Sequence, residues 1–216
     1  MVATIKLMNK SRLVAAYRLI FAGILVVTII AQYMQAMHAD AFRPINFFSF
    51  FTIESNILAA VVLLIGGLCS LQGKGPAWLP MLRGAVTLYM TTTGLVYVTL
   101  LAHLEVSLPW ANFVLHYVAP LVIFIDWLLD RPLVRISSRQ ALVWLVFPVL
   151  YLAYSLLRGP HAEWYPYPFL EPTNQGYLRV FLMCVGIGAF IYILAVLLAK
   201  VTTFGKKISR PKRKAA

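Results

Sequence analysis

Thr52 and His116 are the two side chains in this 216-residue chain best suited to covalent chemistry. A threonine hydroxyl is a weak nucleophile at its own pKa and needs a base to take its proton, which a neutral imidazole can do. Thr52 lies in the run FFSFFTIESN, where Ser49, Thr52, Ser55 and Asn56 share one stripe of a helix at about 100° per residue. Asn112 and His116 stand four apart, on one face of another helix. Each member of the pair falls six residues into its apolar segment, or roughly 9 Å at the rise of a helix. The two can therefore meet at one depth. Asn56 and Asn112 are candidate donors to an oxyanion. Ser49 and Tyr97, the latter about 10 Å below the outer end of its segment, are candidates for orienting a substrate. The competing reading is packing, because Ser, Thr, Asn and His also serve as hydrogen-bonding glue between membrane helices.

Among the charges inside apolar segments, Arg18, Glu54 and Asp126 stand out. Arg18 and Asp126 both lie toward the cytoplasmic ends of their segments, so an ion pair or snorkelling anchors are expected. Glu54 stands about 200° around the helix from Thr52 and cannot share its face. An unpaired carboxylate there costs about 2.5–3.5 kcal/mol, so it is expected to be protonated or bonded to another helix. His38, His103, His116 and His161 all fall toward one side with acidic residues nearby, but no HExxH or paired-cysteine spacing makes a metal site. Neither GxSxG nor a phosphate-cradling glycine loop occurs, so no metal or cofactor is called for.

The elements that must position these residues follow from composition. Hydrophobic residues make up 61% of the chain and charged ones 12%, with a mean hydropathy of +0.81. Soluble domains carry about 25% charged residues, so a water-soluble globule is excluded. Six apolar segments of membrane-spanning length run near Leu13–Gln35, Asn46–Leu71, Pro80–His103, Trp110–Leu129, Gln140–Leu157 and Tyr177–Val201. None alternates with a period of two, which excludes an outer-membrane barrel. The expected fold is all-α, a polytopic bundle of six transmembrane helices forming one domain over residues 1–205, with a basic tail at 206–216. The first segment is long and lacks a prompt cleavage site, so it reads as a retained helix. Cys69 and Cys184 fall near opposite ends of their segments, too far apart to pair.

The net charge of +12 would suggest nucleic acid in a soluble protein. Here the basic residues cluster at segment ends. The side with both tails and the second and fourth connections holds fifteen Lys and Arg, the other only Arg43, Arg158 and Arg179. That asymmetry puts both termini in the cytoplasm and the tail on anionic headgroups, with no nucleic acid as partner. The longest connection, Arg158–Gly176, lies outside. Its four prolines, Pro160 among them, oppose a regular helix, and its aromatics suit either an interfacial anchor or a lid over a cavity mouth.

FFSFFTIESN, RGAVTLYMTTTGLVY, NFVLHYVAPLVIFIDWLL and WYPYPFL together resemble bacterial members of the androgen-induced protein (ADTRP-like) family, and the likeness extends over nearly the whole chain. Animal members are multi-pass enzymes that hydrolyse fatty acid esters of hydroxy fatty acids with an intramembrane threonine and an essential histidine. The resemblance puts these on Thr52 and His116. It implies a threonine hydrolase of lipid esters in the plasma (inner) membrane of a bacterium, with membrane lipids as surroundings and a lipid ester as substrate. Gaps between the second, third and fourth helices are the expected seat of the acyl chain. The alternative is a lipid-binding or small-solute transport protein using the same polar cluster.

Overall fold

The computed structural model describes residues 2–132 and 134–202. The described residues are all-helical, without strands. Six helices are long and apolar enough to cross a membrane. α1 runs Val2–Ala36, with Ser11–Ala36 as its apolar span; α2 is Phe51–Gln72, α3 Leu79–Leu101, α4 Pro109–Leu129, α5 Ser138–Ala162 and α6 Tyr177–Val201. Spans of 21–26 residues cover the ~30 Å hydrocarbon layer. Large apolar side chains stay on the outside, Leu13, Leu157 and Leu178 each more than 70% exposed, as a lipid-facing surface requires. The basic tail at 206–216 lies outside the described residues.

Small residues let the helices close up. On α2, a Cβ at Gly67 would meet Leu19 Cγ at 2.8 Å, and Gly66 seats the Arg18 side chain, so α1 packs along α2. Gly94 on α3 faces Pro120 and the His116 carbonyl of α4, where a Cβ would stand 3.0 Å from Pro120 Cβ. Trp144 of α5 lies flat over Gly84 of α3 and meets Trp127 of α4 edge-on, closing the bundle's second end.

Two boundaries differ from the sequence reading. The second segment is not one helix from Asn46. Pro44–Phe48 forms a separate short turn, Ser49 and Phe50 break the chain, and α2 begins at Phe51. Ser49 turns its hydroxyl back to the Ile45 carbonyl at 2.6 Å, a bond that competes with continued helix, and Phe50 is extended at φ −79°, ψ 126°. At the other boundary, α5 runs through Pro160 to Ala162 and ends at Glu163, in the left-handed region at φ 49°. Pro160 leaves the Leu156 carbonyl without its ladder partner, and the helix ends within two residues of it.

Candidate active site

The break before α2 decides the site. A buried helix start exposes N–H groups that need partners within the protein. Ile53 and Glu54 bond the Phe50 carbonyl, whereas the amides of Phe51 and Thr52 donate to two tyrosine hydroxyls: Tyr151 of α5 at 3.3 Å and Tyr167 of the loop between α5 and α6 at 3.2 Å. Tyr151 in turn donates to the Ser49 carbonyl at 3.0 Å. Thr52 thus lies in the first turn of α2 rather than a turn and a half into a longer helix. It is 7% exposed.

His116 comes from a distorted stretch of α4. Val114–Val118 is wound as a π-helix, with Ala119 N–H reaching the Val114 carbonyl, and Pro120 follows without a donor. Tyr97–Leu101 of α3 is also π-wound. Such turns are rare and concentrate at functional sites. Tyr97 stacks on the imidazole with ring centroids 3.9 Å apart and 25° between planes. His116 Nδ1 is 3.0 Å from the Asn112 carbonyl, and Nε2 is 3.2 Å from Thr52 Oγ1.

Those contacts fix the direction of every proton. A carbonyl only accepts, so Nδ1 carries the hydrogen and Nε2 is the free acceptor. The Thr52 hydroxyl then donates to Nε2, leaving Oγ1 able only to accept from the Tyr167 hydroxyl at 3.3 Å. Burial pushes the Tyr167 phenol above its ordinary pKa, which keeps its proton in place.

The other candidates are placed differently from the sequence reading. Both Asn56 amide hydrogens are spent, on the carbonyls of Thr52 at 2.8 Å and Leu115 at 3.2 Å, so Asn56 ties α2 to α4 and has no donor left for an oxyanion. Asn112 Nδ2 donates to the Tyr97 hydroxyl at 2.6 Å. Tyr97 and Asn112 therefore hold the imidazole instead of facing Thr52. Ser49, off the α2 stripe, shares a 2.8 Å hydrogen bond with Tyr154 and pins the break to α5. Ser55 bonds Thr93 of α3 at 3.0 Å. Glu54 Oε2 is buried and has no hydrogen-bond partner among the described residues.

An apolar cavity of about 170 Å³ opens beside Thr52. It lies between α2, α3, α5, α6 and the outer loop, with Thr92, Leu152, Tyr167, Leu170 and Gly188 in its wall. No residue of α4 lines it, and α3 lies against Pro120 of α4 at Gly94. A second cavity, about 550 Å³, continues between the outer halves of α5 and α6, and both cavities touch Leu152 and Cys184. The loop roofs the first. Tyr165 seats its ring on Gly159, Trp164 lies under the Arg158 guanidinium at 5.3 Å and meets Phe50 edge-on at 5.4 Å, and Tyr167 stacks on Phe169 at 5.2 Å. Tyr167, Phe169 and Leu170 of the loop line the cavity.

Set against known proteins, the chain matches no family model, no curated protein and no solved structure. The likeness to the androgen-induced protein family rests on the motif residues alone.

At the opposite end of the bundle, Arg18 and Asp126 do pair, at 2.7 Å, and two residues absent from the sequence reading complete the cluster. Arg83 reaches Asp126 at 2.6 Å, and Asp130 accepts from Arg18 at 2.5 Å and lies 3.4 Å from Arg83. Arg18 also donates to Ser70 Oγ at 2.8 Å. Two guanidinium and two carboxylate groups thus join α1, α2, α3 and α4 with their charges balanced. Arg83 inside an apolar run was the available signal. The sequence reading also passed over Tyr151 and Tyr167, for which the aromatic, proline-stiffened loop was the signal.

Proposed function

We propose that this protein is an intramembrane threonine hydrolase of lipid esters, lying in the inner membrane of a bacterium with both termini in the cytoplasm. The observation that carries the reading is the 3.2 Å contact of Thr52 Oγ1 with a His116 Nε2 free to accept, at the wall of an apolar cavity. The motif likeness described above supports it, and the fifteen-to-three distribution of basic residues supports the orientation.

The reaction follows from the protons already placed. His116 Nε2 takes the Thr52 proton as Oγ1 attacks the ester carbonyl, and the new C–O bond gives a tetrahedral intermediate. Its collapse expels the alcohol, which leaves with the proton held on Nε2, and an acyl-threonine remains. Water then attacks the acyl carbon while Nε2 takes its proton. Release of the fatty acid returns the hydrogen to Thr52. The acyl chain occupies the cavity, entering from the bilayer through the gap between α5 and α6.

The test is labelling of the purified protein by an alkyl fluorophosphonate, with Thr52→Ala and His116→Ala alongside. The expected outcome is a wild-type adduct mapped to Thr52 by mass spectrometry and absent from both variants. A folded wild type that resists the probe, or a Thr52→Ala protein that labels as well as wild type, would replace the hydrolase with a lipid-binding or transport role for the same cluster.

A further inference from the structure

We propose that Tyr167, carried into the site by the outer loop, is a catalytic residue whose hydroxyl joins the Thr52 amide in holding the oxyanion. The proposal rests on the hydrolase reading above.

A tetrahedral oxyanion needs donors close to the nucleophile, aimed where charge develops. Of the expected donors, Asn56 has both amide hydrogens committed, and Asn112 directs its amide to the Tyr97 hydroxyl. What faces Thr52 Oγ1 opposite His116 is the Tyr167 hydroxyl, at 3.3 Å, and it also accepts from the Thr52 amide at 3.2 Å. The amide and the phenol thus hold each other at the place the carbonyl oxygen must reach. In the ground state the phenol satisfies a helix-terminal N–H that would otherwise be orphaned in the membrane. When an ester enters, its carbonyl oxygen takes the phenol's position against Thr52 N–H. The phenol retreats by about one hydrogen-bond length and turns its proton from Oγ1 to the incoming oxygen. Attack by Oγ1 moves the carbonyl π pair onto that oxygen, where both donors meet it. Collapse returns the pair to carbon as the alcohol departs.

The loop's seating suits a part that must yield a short way and return. It is pinned through Gly159 and Trp164 on one side and through Gln175 Nε2 bonding the Pro168 carbonyl at 2.8 Å on the other, with Tyr167 between.

The experiment uses the full chain in lipid nanodiscs, turning over p-nitrophenyl decanoate, with decyl trifluoromethyl ketone as the oxyanion-forming inhibitor. Tyr167→Phe removes one oxygen and keeps the ring. It is expected to lower kcat by about 10²–10³-fold while KM stays within about threefold, and to weaken the ketone by the same factor as kcat/KM. Phe50→Leu disturbs the loop's seat and leaves the hydroxyl; it is expected to keep the wild-type preference for the ketone over the unfluorinated parent. If Tyr167→Phe keeps kcat within about threefold of wild type, the phenol is not an oxyanion donor and the hydrolase reading stands without it. The phenol is likewise excluded as a donor if kcat falls and ketone affinity does not, or if Phe50→Leu loses ketone preference as fully as Tyr167→Phe. If wild type shows no turnover dependent on Thr52 and His116, the hydrolase reading fails and this inference with it.

Discussion

At the scale of the residue, one hydrogen position organises the site. The Asn112 carbonyl holds the proton on His116 Nδ1, and the rest of the chain from Tyr167 through Thr52 to Nε2 follows from what each atom can donate. The stacked Tyr97 ring and its bond to Asn112 keep the imidazole from turning. Serine at position 52 offers the same oxygen to the same base. Thr52→Ser is therefore expected to retain turnover within about tenfold of wild type, while Thr52→Ala loses the acyl-enzyme altogether. Initial rates on p-nitrophenyl decanoate, with intact-mass detection of the acyl adduct, check this.

At the scale of the element, the interrupted second segment matters most. Had Asn46–Leu71 formed one helix, the Thr52 amide would have been consumed by the ladder and Tyr167 would have had no donor to meet. α6 has a separate part. Gly188 lines the cavity, and a Cβ built there meets nothing within 4 Å, so a large side chain there takes up cavity volume without straining the helix. Gly188→Phe is expected to reduce kcat/KM for long-chain esters at least about tenfold relative to acetyl esters, since each methylene an apolar pocket accepts or refuses is worth about 1–3 kcal/mol. A chain-length series of p-nitrophenyl esters checks it. Equal losses at all lengths would mean that the acyl chain lies elsewhere.

At the scale of the whole molecule, the bundle is fastened at two ends by different means. Aromatic rings and tyrosine hydroxyls close the end that holds Thr52, and the four-charge cluster of Arg18, Arg83, Asp126 and Asp130 fastens the other. Removing one member of a buried cluster leaves an uncompensated charge, which costs about 3–5 kcal/mol. Asp126 has a side chain 9% exposed and touches both arginines, whereas Asp130 is 43% exposed. Asp126→Ala is therefore expected to lower the Tm in detergent markedly, and Asp130→Ala to lower it much less. Thermal unfolding of the two variants side by side checks the order. Equal shifts would show that Asp130, not burial, carries the cluster.

The number of spans, their approximate limits and the Thr52–His116 pairing were legible in the sequence, because hydropathy and helical periodicity are local properties that a bilayer enforces strictly. The pairing of Arg18 with Asp126 was legible for the same reason, since a charge in an apolar run must find an opposite one. What only the tertiary structure decided was where donors go. Asn56 and Asn112 look like free amides in a linear reading, but Asn56 gives its hydrogens to the carbonyls of Thr52 and Leu115, and Asn112 gives one to Tyr97. The break at Ser49 and Phe50 is stable only because Tyr151 and Tyr167, 100 and 115 residues away in sequence from the amides they accept, supply the acceptors that a membrane cannot. Likewise the cavity is lined from α5 and α6 and not from α4, which lies against α3 at Gly94. Hydrogen bonds and close approaches of this kind depend on distance in space, which periodicity along a single helix does not encode.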